Sequence, residues 1–287
     1  MKKTVFLFLM IFLAAMVIMT DIKKDSIQQS IVFFPLDENV SFTAAKTNLA
    51  IIQQNDKDEF TINWEVDSTL DQVAYLRQDI SLLFEDGYLI ERLGKWEKET
   101  DTLEERKKVK SEDSGHFESI SFHHAEIHYA SDIIKSKQTM TSDSLYVIDS
   151  PLAPLESFKT AKTDYEKEWK EVLDHAKNQH MHVVWKKLMN HYQIPDNKYI
   201  KIPFTSLPFY TDKPLPGMSK EKSDTAIGRL WERLYQNYFL GIRLNSEKTI
   251  PPEGSTMPLI LLDQQATHVI ILFNTKTKEP IQLLQYL

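Results

Sequence analysis

The sequence contains no cysteine. That excludes thiol nucleophiles, thiolate-bound zinc and disulfide staples. It also excludes a lipid-anchored bacterial lipoprotein, whose lipid is carried on a cysteine. Glycine is scarce, at 7 in 287 residues, and the glycine-rich loops of nucleotide enzymes are missing. There is no GxGxxG, no Walker-type GxxxxGKS or GxxxxGKT, no GxSxG nucleophile elbow and no HExxH zinc motif. No basic face emerges either: the formal net charge is -7 and both signs are interspersed, so nucleic acid is set aside as a partner. A cysteine-free ectodomain suits an exported protein of a Gram-positive-type bacterium.

What is present begins at the amino terminus. Lys2 and Lys3 precede an unbroken apolar run from Val5 to Met19, after which Asp21 and Lys23 return. A soluble domain has nothing at its extreme terminus to cover Val5, Phe6, Leu7, Phe8, Leu9, Ile11, Phe12, Leu13, Val17 and Ile18, so residues 1–20 read as a signal peptide or a membrane span. At ~1.5 Å per residue, residues 4–20 reach about 25 Å, and lysine snorkelling with local thinning makes up the rest of a ~30 Å hydrocarbon core. Ala14 and Ala15 are adjacent and the apolar run continues past them, so no small-x-small cleavage site follows it. An uncleaved anchor is favoured, with secretion after signal cleavage as the alternative. The expected placement is the cell membrane, single-pass, with the C-terminal domain outside the cytoplasm.

Beyond a juxtamembrane stalk at 21–40, the pattern is α+β: antiparallel strands, about three sizeable helices and a C-terminal β-hairpin or meander. Residues 41–150 read as an α+β subdomain and 151–287 as a helical subdomain with C-terminal strands, the two being separate or one domain. Phe60, Ile62, Trp64 and Val66 alternate as a strand. Val73, Leu76, Ile80 and Leu83 predict a helix over 68–85, ended by Gly87. The charged segment 99–115 reads as an exposed connection, and 117–129 and 144–149 as extended. A long helix is expected over 158–192 with Tyr165, Trp169, Val172, Leu173, Ala176, Val183, Val184 and Leu188 as its buried stripe. A second is expected over 224–244, with Ile227, Leu230, Trp231, Leu234, Tyr238 and Ile242 inward.

Chemistry is concentrated in histidine. Residues 114–129, SGHFESISFHHAEIHY, hold four of the chain's 9 histidines. On a strand His124, Glu126 and His128 share one face, about 7 Å apart; imidazole and carboxylate are zinc-type ligands, but three in a row cannot converge on one ion. His175 and His182 nearly align on the long helix, about 10.5 Å apart, too far to share a metal alone. Two readings follow. One is a half-exposed strand with a polar face written in histidine, and no cofactor. The other is a site for zinc or another divalent metal, formed if the two clusters meet in space. The proline- and aromatic-rich segment 202–218 is the candidate partner surface, with Phe204, Phe209 and Tyr210.

The sequence therefore points to a membrane-anchored extracytoplasmic protein that binds, senses or regulates a partner protein or cell-envelope component without catalysis. The alternative is an extracytoplasmic metal-dependent envelope hydrolase using the histidine clusters. The intact mass of the chain isolated from membranes is expected to include residues 1–20; a mature terminus between about residues 16 and 25 would establish cleavage instead.

Overall fold

A computed structural model describes residues 31–54, 59–150, 153–244 and 248–287. The apolar run and most of the stalk lie outside the described residues. Asp86 and Gly87 turn the longest hairpin of the chain. Both have left-handed backbone, φ 48° and 84°, which a two-residue hairpin turn needs and which Asp-Gly readily adopts. They join β2 (Phe60–Glu85) to β3 (Tyr88–Ser111). The helix expected over 68–85 is thus strand, and Gly87 ends no helix. Helix-like spacing arose because the second half of β2 is buried on both faces, and such a strand loses its alternation. The connection expected at 99–115 is mostly the second half of β3. There Leu103 and Val109 point in, while Glu104, Arg106, Lys108 and Lys110 point out.

β1 (Phe42–Gln54), β4 (Gly115–His128), β5 (Ile134–Ser150) and β6 (Ala153–Phe158) complete an antiparallel sheet in the order β1-β2-β4-β5-β6, with β3 also on β2. β2 changes neighbours along its length. Up to Leu70 it pairs with β1, and from Leu76 with β4; β3 follows it throughout, with a register break between Thr69 and Ala74. At that break β2 folds back, and Ser68 Oγ donates to Asp79 Oδ2 at 2.5 Å. The sheet curls until β1 rests on β5, where Asp143 accepts the Leu49 N–H at 2.7 Å. Leu49, Phe60, Ile62, Trp64, Val66, Leu83, Phe117 and Val147 fill the curl. Phe60, Ile62, Trp64 and Val66 share its inside, as their alternation predicts.

The other face of the sheet carries the second core. α1 (Asp164–His191) starts at a capping box in which the Thr163 side chain and Glu166 satisfy each other's backbone N–H groups. β7 (Tyr199–Pro203) and a 3₁₀ turn (Phe204–Tyr210) lead to α2 (Lys220–Leu234), which runs into a π-helical turn (Tyr235–Phe239). β8 (Ile242–Arg243) pairs with β9 (Thr249–Ile250). β10 (Leu259–Asp263), β11 (His268–Asn274) and β12 (Pro280–Tyr286) form the expected C-terminal meander, with β7 added beside β10. Ile80, Leu82, Phe84, Ile120 and Phe122 of the large sheet meet Ile227, Leu230, Trp231 and Leu234 of α2 and Ile260, Ile271 and Phe273 of the meander. This shared core makes residues Ile31–Leu287 one compact unit. Part of the expected stalk belongs to it: Ile31 and Val40 are buried, and Leu36 bridges to Ser136 of β5. Gly228 on α2 makes room, because a Cβ there would overlap Phe33 and Gln138.

Gly87 is also a packing site, since a Cβ would lie 2.5 Å from Met181 Sδ of α1. Gly87→Ala is expected to cost about 1–2 kcal/mol from the left-handed backbone alone, read as a lower urea midpoint with an unchanged slope.

Candidate functional site

The histidine-rich stretch forms the strand expected of it, but not a half-exposed one. β4 is buried on both faces along nearly its whole length. The large sheet pairs it with β2 on one side and β5 on the other, and the two cores cover its faces. Its odd positions, Phe117, Ser119, Ser121, His123, Ala125 and Ile127, belong to one face and its even positions to the other. Each histidine therefore meets a different part of the fold.

His123 faces the curl. Its Nδ1 lies 2.7 Å from Asp79 Oδ2 and its Nε2 lies 2.8 Å from Thr141 Oγ1. Asp79 also accepts from Ser68, and the buried Arg77 guanidinium donates to Ser68 Oγ and to the Asp101 carbonyl. From Thr141 the row continues through hydroxyls: Thr47 at 2.6 Å, then Ser121 at 2.6 Å, then Ser81 at 2.6 Å. Asp, His and hydroxyl in line resemble the order of a nucleophilic triad. Here the Thr141 hydroxyl is already engaged by Thr47, and Asp79 and His123 are 1% and 0% exposed. The row ties β1 to β4 and β5 and seals the fold-back of β2. Beside it, burial, with the Asp79 charge adding, pushes the Glu105 carboxyl up to about 8.

His116 faces α1. Asp174 Oδ1 and Lys177 Nζ both lie 3.1 Å from its Nδ1, and the ring stacks on Tyr146 at 4.0 Å. Tyr146 donates to Asp174 at 3.0 Å, Lys170 pairs with Asp174, and Lys177 pairs with Glu118 at 3.0 Å. Thr205 donates to the other Glu118 oxygen at 3.1 Å. Burial pushes the His116 imidazole down to about 4 and the Tyr146 hydroxyl up to about 12. Burial also works against the Asp174 carboxylate, but hydrogen bonds from Lys170 and Tyr146 outweigh it and hold the carboxyl below its usual range. This network clamps α1 to the sheet where apolar contacts are few: the residues of α1 that are fully buried are Leu173, Met181, Leu188 and Met189.

The residues singled out in the sequence are spread over the molecule. His124 is buried, with Nε2 3.1 Å from Ser136 Oγ and its ring against Phe122. Glu126 hydrogen-bonds His128, which stacks on Tyr75 at 3.8 Å at the open end of β4. His175 and His182 are exposed on α1, which packs at the opposite end of the strand, around His116 and Glu118. Eight residues, about 26 Å of strand, separate His116 from His124. Among the described residues, no three His, Asp or Glu side chains come together as a metal site would require. Phe204 lies in the core against Phe84 and Trp231, 5.0 Å from the latter. It therefore takes no part in any surface. Phe209 is 63% exposed beneath the Lys213 ammonium, and Tyr210 is half-buried on the core.

The stripe expected to be buried on α1 divides in two. Leu173 and Leu188 face the sheet, with Val184 half-buried, whereas Tyr165, Val172 and Val183 are 43%, 59% and 46% exposed and Ala176 is exposed with them. Trp169 is half-buried between the two sets. The polar clamp of Lys170, Asp174 and Lys177 and the buried Leu173, Met181, Leu188 and Met189 take the inner side of the helix, and one apolar line is left outside. Sequence periodicity finds both lines but not which of them the fold uses. A groove of about 540 Å³ runs beside Val183, lined by Tyr88, His180, Lys187 and Lys276. Among the described residues no helix is long and apolar enough to cross a membrane. No family model and no curated protein matches the chain.

The His116 site has a pH signature. An unfolded histidine takes up its proton near pH 6.5, whereas folded His116 refuses it until about pH 4. The unfolded state binds more protons between those values, so stability falls as pH drops from 6.5 to 4. His116→Gln is expected to flatten that fall by up to about 1.4 kcal/mol per pH unit, measured by urea unfolding across the window.

Proposed function

We propose that this chain is a membrane-anchored extracytoplasmic binding or regulatory protein, without catalysis of its own, and that the outer face of α1 is its working surface. The observation that carries the reading is the division of the α1 stripe. A helix of 28 residues is held to the fold by the polar clamp and by the buried Leu173, Met181, Leu188 and Met189, while Tyr165, Val172, Ala176 and Val183 remain in solvent. Such an apolar line on an otherwise polar helix marks an interaction surface. A second support is the use made of the histidines on β4. His116, His123 and His124 are held by their own fold partners in the interior, and the strand that carries them joins the two cores. The amino-terminal apolar run supplies the membrane attachment, and a protein or envelope component outside the cytoplasm is the expected partner.

A photo-crosslinking side chain placed at Val172 or at Val183, in the full chain in its own membranes, is expected to give a discrete adduct. The same group at Lys108, exposed on the outside of β3, is expected to give none. Absence of a discrete adduct at both α1 positions contradicts this assignment of the working surface.

A further inference from the structure

We propose that the α1 face is covered by the same face of a second copy, the two helices running antiparallel about a two-fold axis. This rests on the reading of α1 as the working surface and names its occupant. Tyr165 and Val183 are 18 residues apart, about five turns, and so lie on one line about 27 Å long. Val172 and Ala176 fall beside that line. Glu168 and Lys186 are also 18 residues apart and share a second line on one flank of it.

Charge along the helix is polarised in a way that suits its own reverse. The exposed acids Asp164, Glu168 and Glu171 lie in the first half. Of the exposed bases, Lys186 and Lys187 lie in the second half, with His180, His182 and His191, while in the first half Lys167 pairs with Asp164 and His175 is the one exposed histidine. The helix dipole favours that polarity in any single helix, but it gives no reason for four apolar residues to stand in solvent between the charges. An antiparallel pair accounts for both. With the axis between Lys177 and Asn178, Val172 opposes Val183 of the second copy, and Ala176, small enough for close backbone approach, stands near the crossing. Glu168 then opposes Lys186 of the second copy, and in antiparallel packing groups on the same flank meet. Two-fold symmetry makes every such contact twice. A parallel pair would instead set acid against acid and base against base.

One helix pair covers less than the about 800 Å² per partner of a standard interface. The association is therefore weak between free chains and is strengthened where anchors confine both chains to one membrane.

The chain's lack of cysteine makes the test direct. Full chains carrying Val172→Cys and Val183→Cys, with different tags, are expressed together, and their membranes are treated with a mild oxidant. A mixed disulfide between Val172→Cys and Val183→Cys chains is expected, and none between two Val172→Cys chains. Glu168→Lys is expected to reduce the mixed product about fivefold, and Glu168→Lys with Lys186→Glu to restore it; the swap shows that the loss is not one of folding. A Val172→Cys pair as the main product, or no mixed disulfide at all, overturns the proposal. If the photo-crosslinker at Val172 gives one adduct whose mass is that of a different protein, the second copy is excluded while the working surface stands. If the photo-crosslinker gives no adduct at either Val172 or Val183, both fail.

Discussion

The fold depends on one sharp event, the fold-back of β2 after Leu70. A strand of this length would otherwise extend past any core of this size. Folding back brings Ser68 onto Asp79 and buries the Asp79 carboxyl. Arg77, 3.8 Å from it, and His123, 2.7 Å from it, stand beside it at 0% exposure each. A buried ion pair contributes little net stability over an apolar substitute, yet breaking one partner leaves a charge uncompensated and costs several kcal/mol. The cluster therefore specifies the bend more than it strengthens the molecule. The two cores and the position of α1 follow from it.

β4 shows how such a plan uses histidine. A strand covered on both faces has to bury whatever polar groups it carries. Histidine suits the role: its ring fills apolar space, and a ring nitrogen reaches a polar group on a neighbouring element. His123 joins the row of hydroxyls between β1 and β5, His124 meets Ser136, and His116 reaches the polar clamp of α1. Leu173, Met181, Leu188 and Met189 are buried on the same side of α1 as this clamp, and together they leave Val172 and Val183 facing out.

Much of this plan was legible in the sequence, and the failures share a cause. The C-terminal meander, α1, the inward Ile227, Leu230, Trp231 and Leu234 of α2 and the strand at 60–66 follow from period and turn residues alone, whereas the helix expected to reach residue 244 ends at Leu234, with Tyr238 in the π-helical turn and Ile242 on β8. The second half of β2 is unreadable because burial on both faces removes alternation, and Asp86-Gly87, a hairpin signal, there mimics the end of a helix. The second half of β3 hid because Leu103 and Val109 are the apolar residues its inner face shows, with Glu105 and Lys107 between them. Phe204 looked like loop and is core, since β7 carries it under Trp231. The histidine stretch was correctly placed on a strand, but its two faces are covered by chain far away in sequence. That coverage, and the exposure of half the α1 stripe, are long-range outcomes that no local pattern encodes.

On the proposed reading the outer face of α1 is covered when the protein is in place. The most direct measurement is the rate at which a single cysteine at Val172 is labelled by a membrane-impermeant maleimide, first in intact membranes and then in the dilute purified chain. The account predicts slow labelling in membranes and fast labelling after dilution, with equal rates in both states for a cysteine at Lys108. Equal, fast labelling of the Val172 position in both states would contradict it.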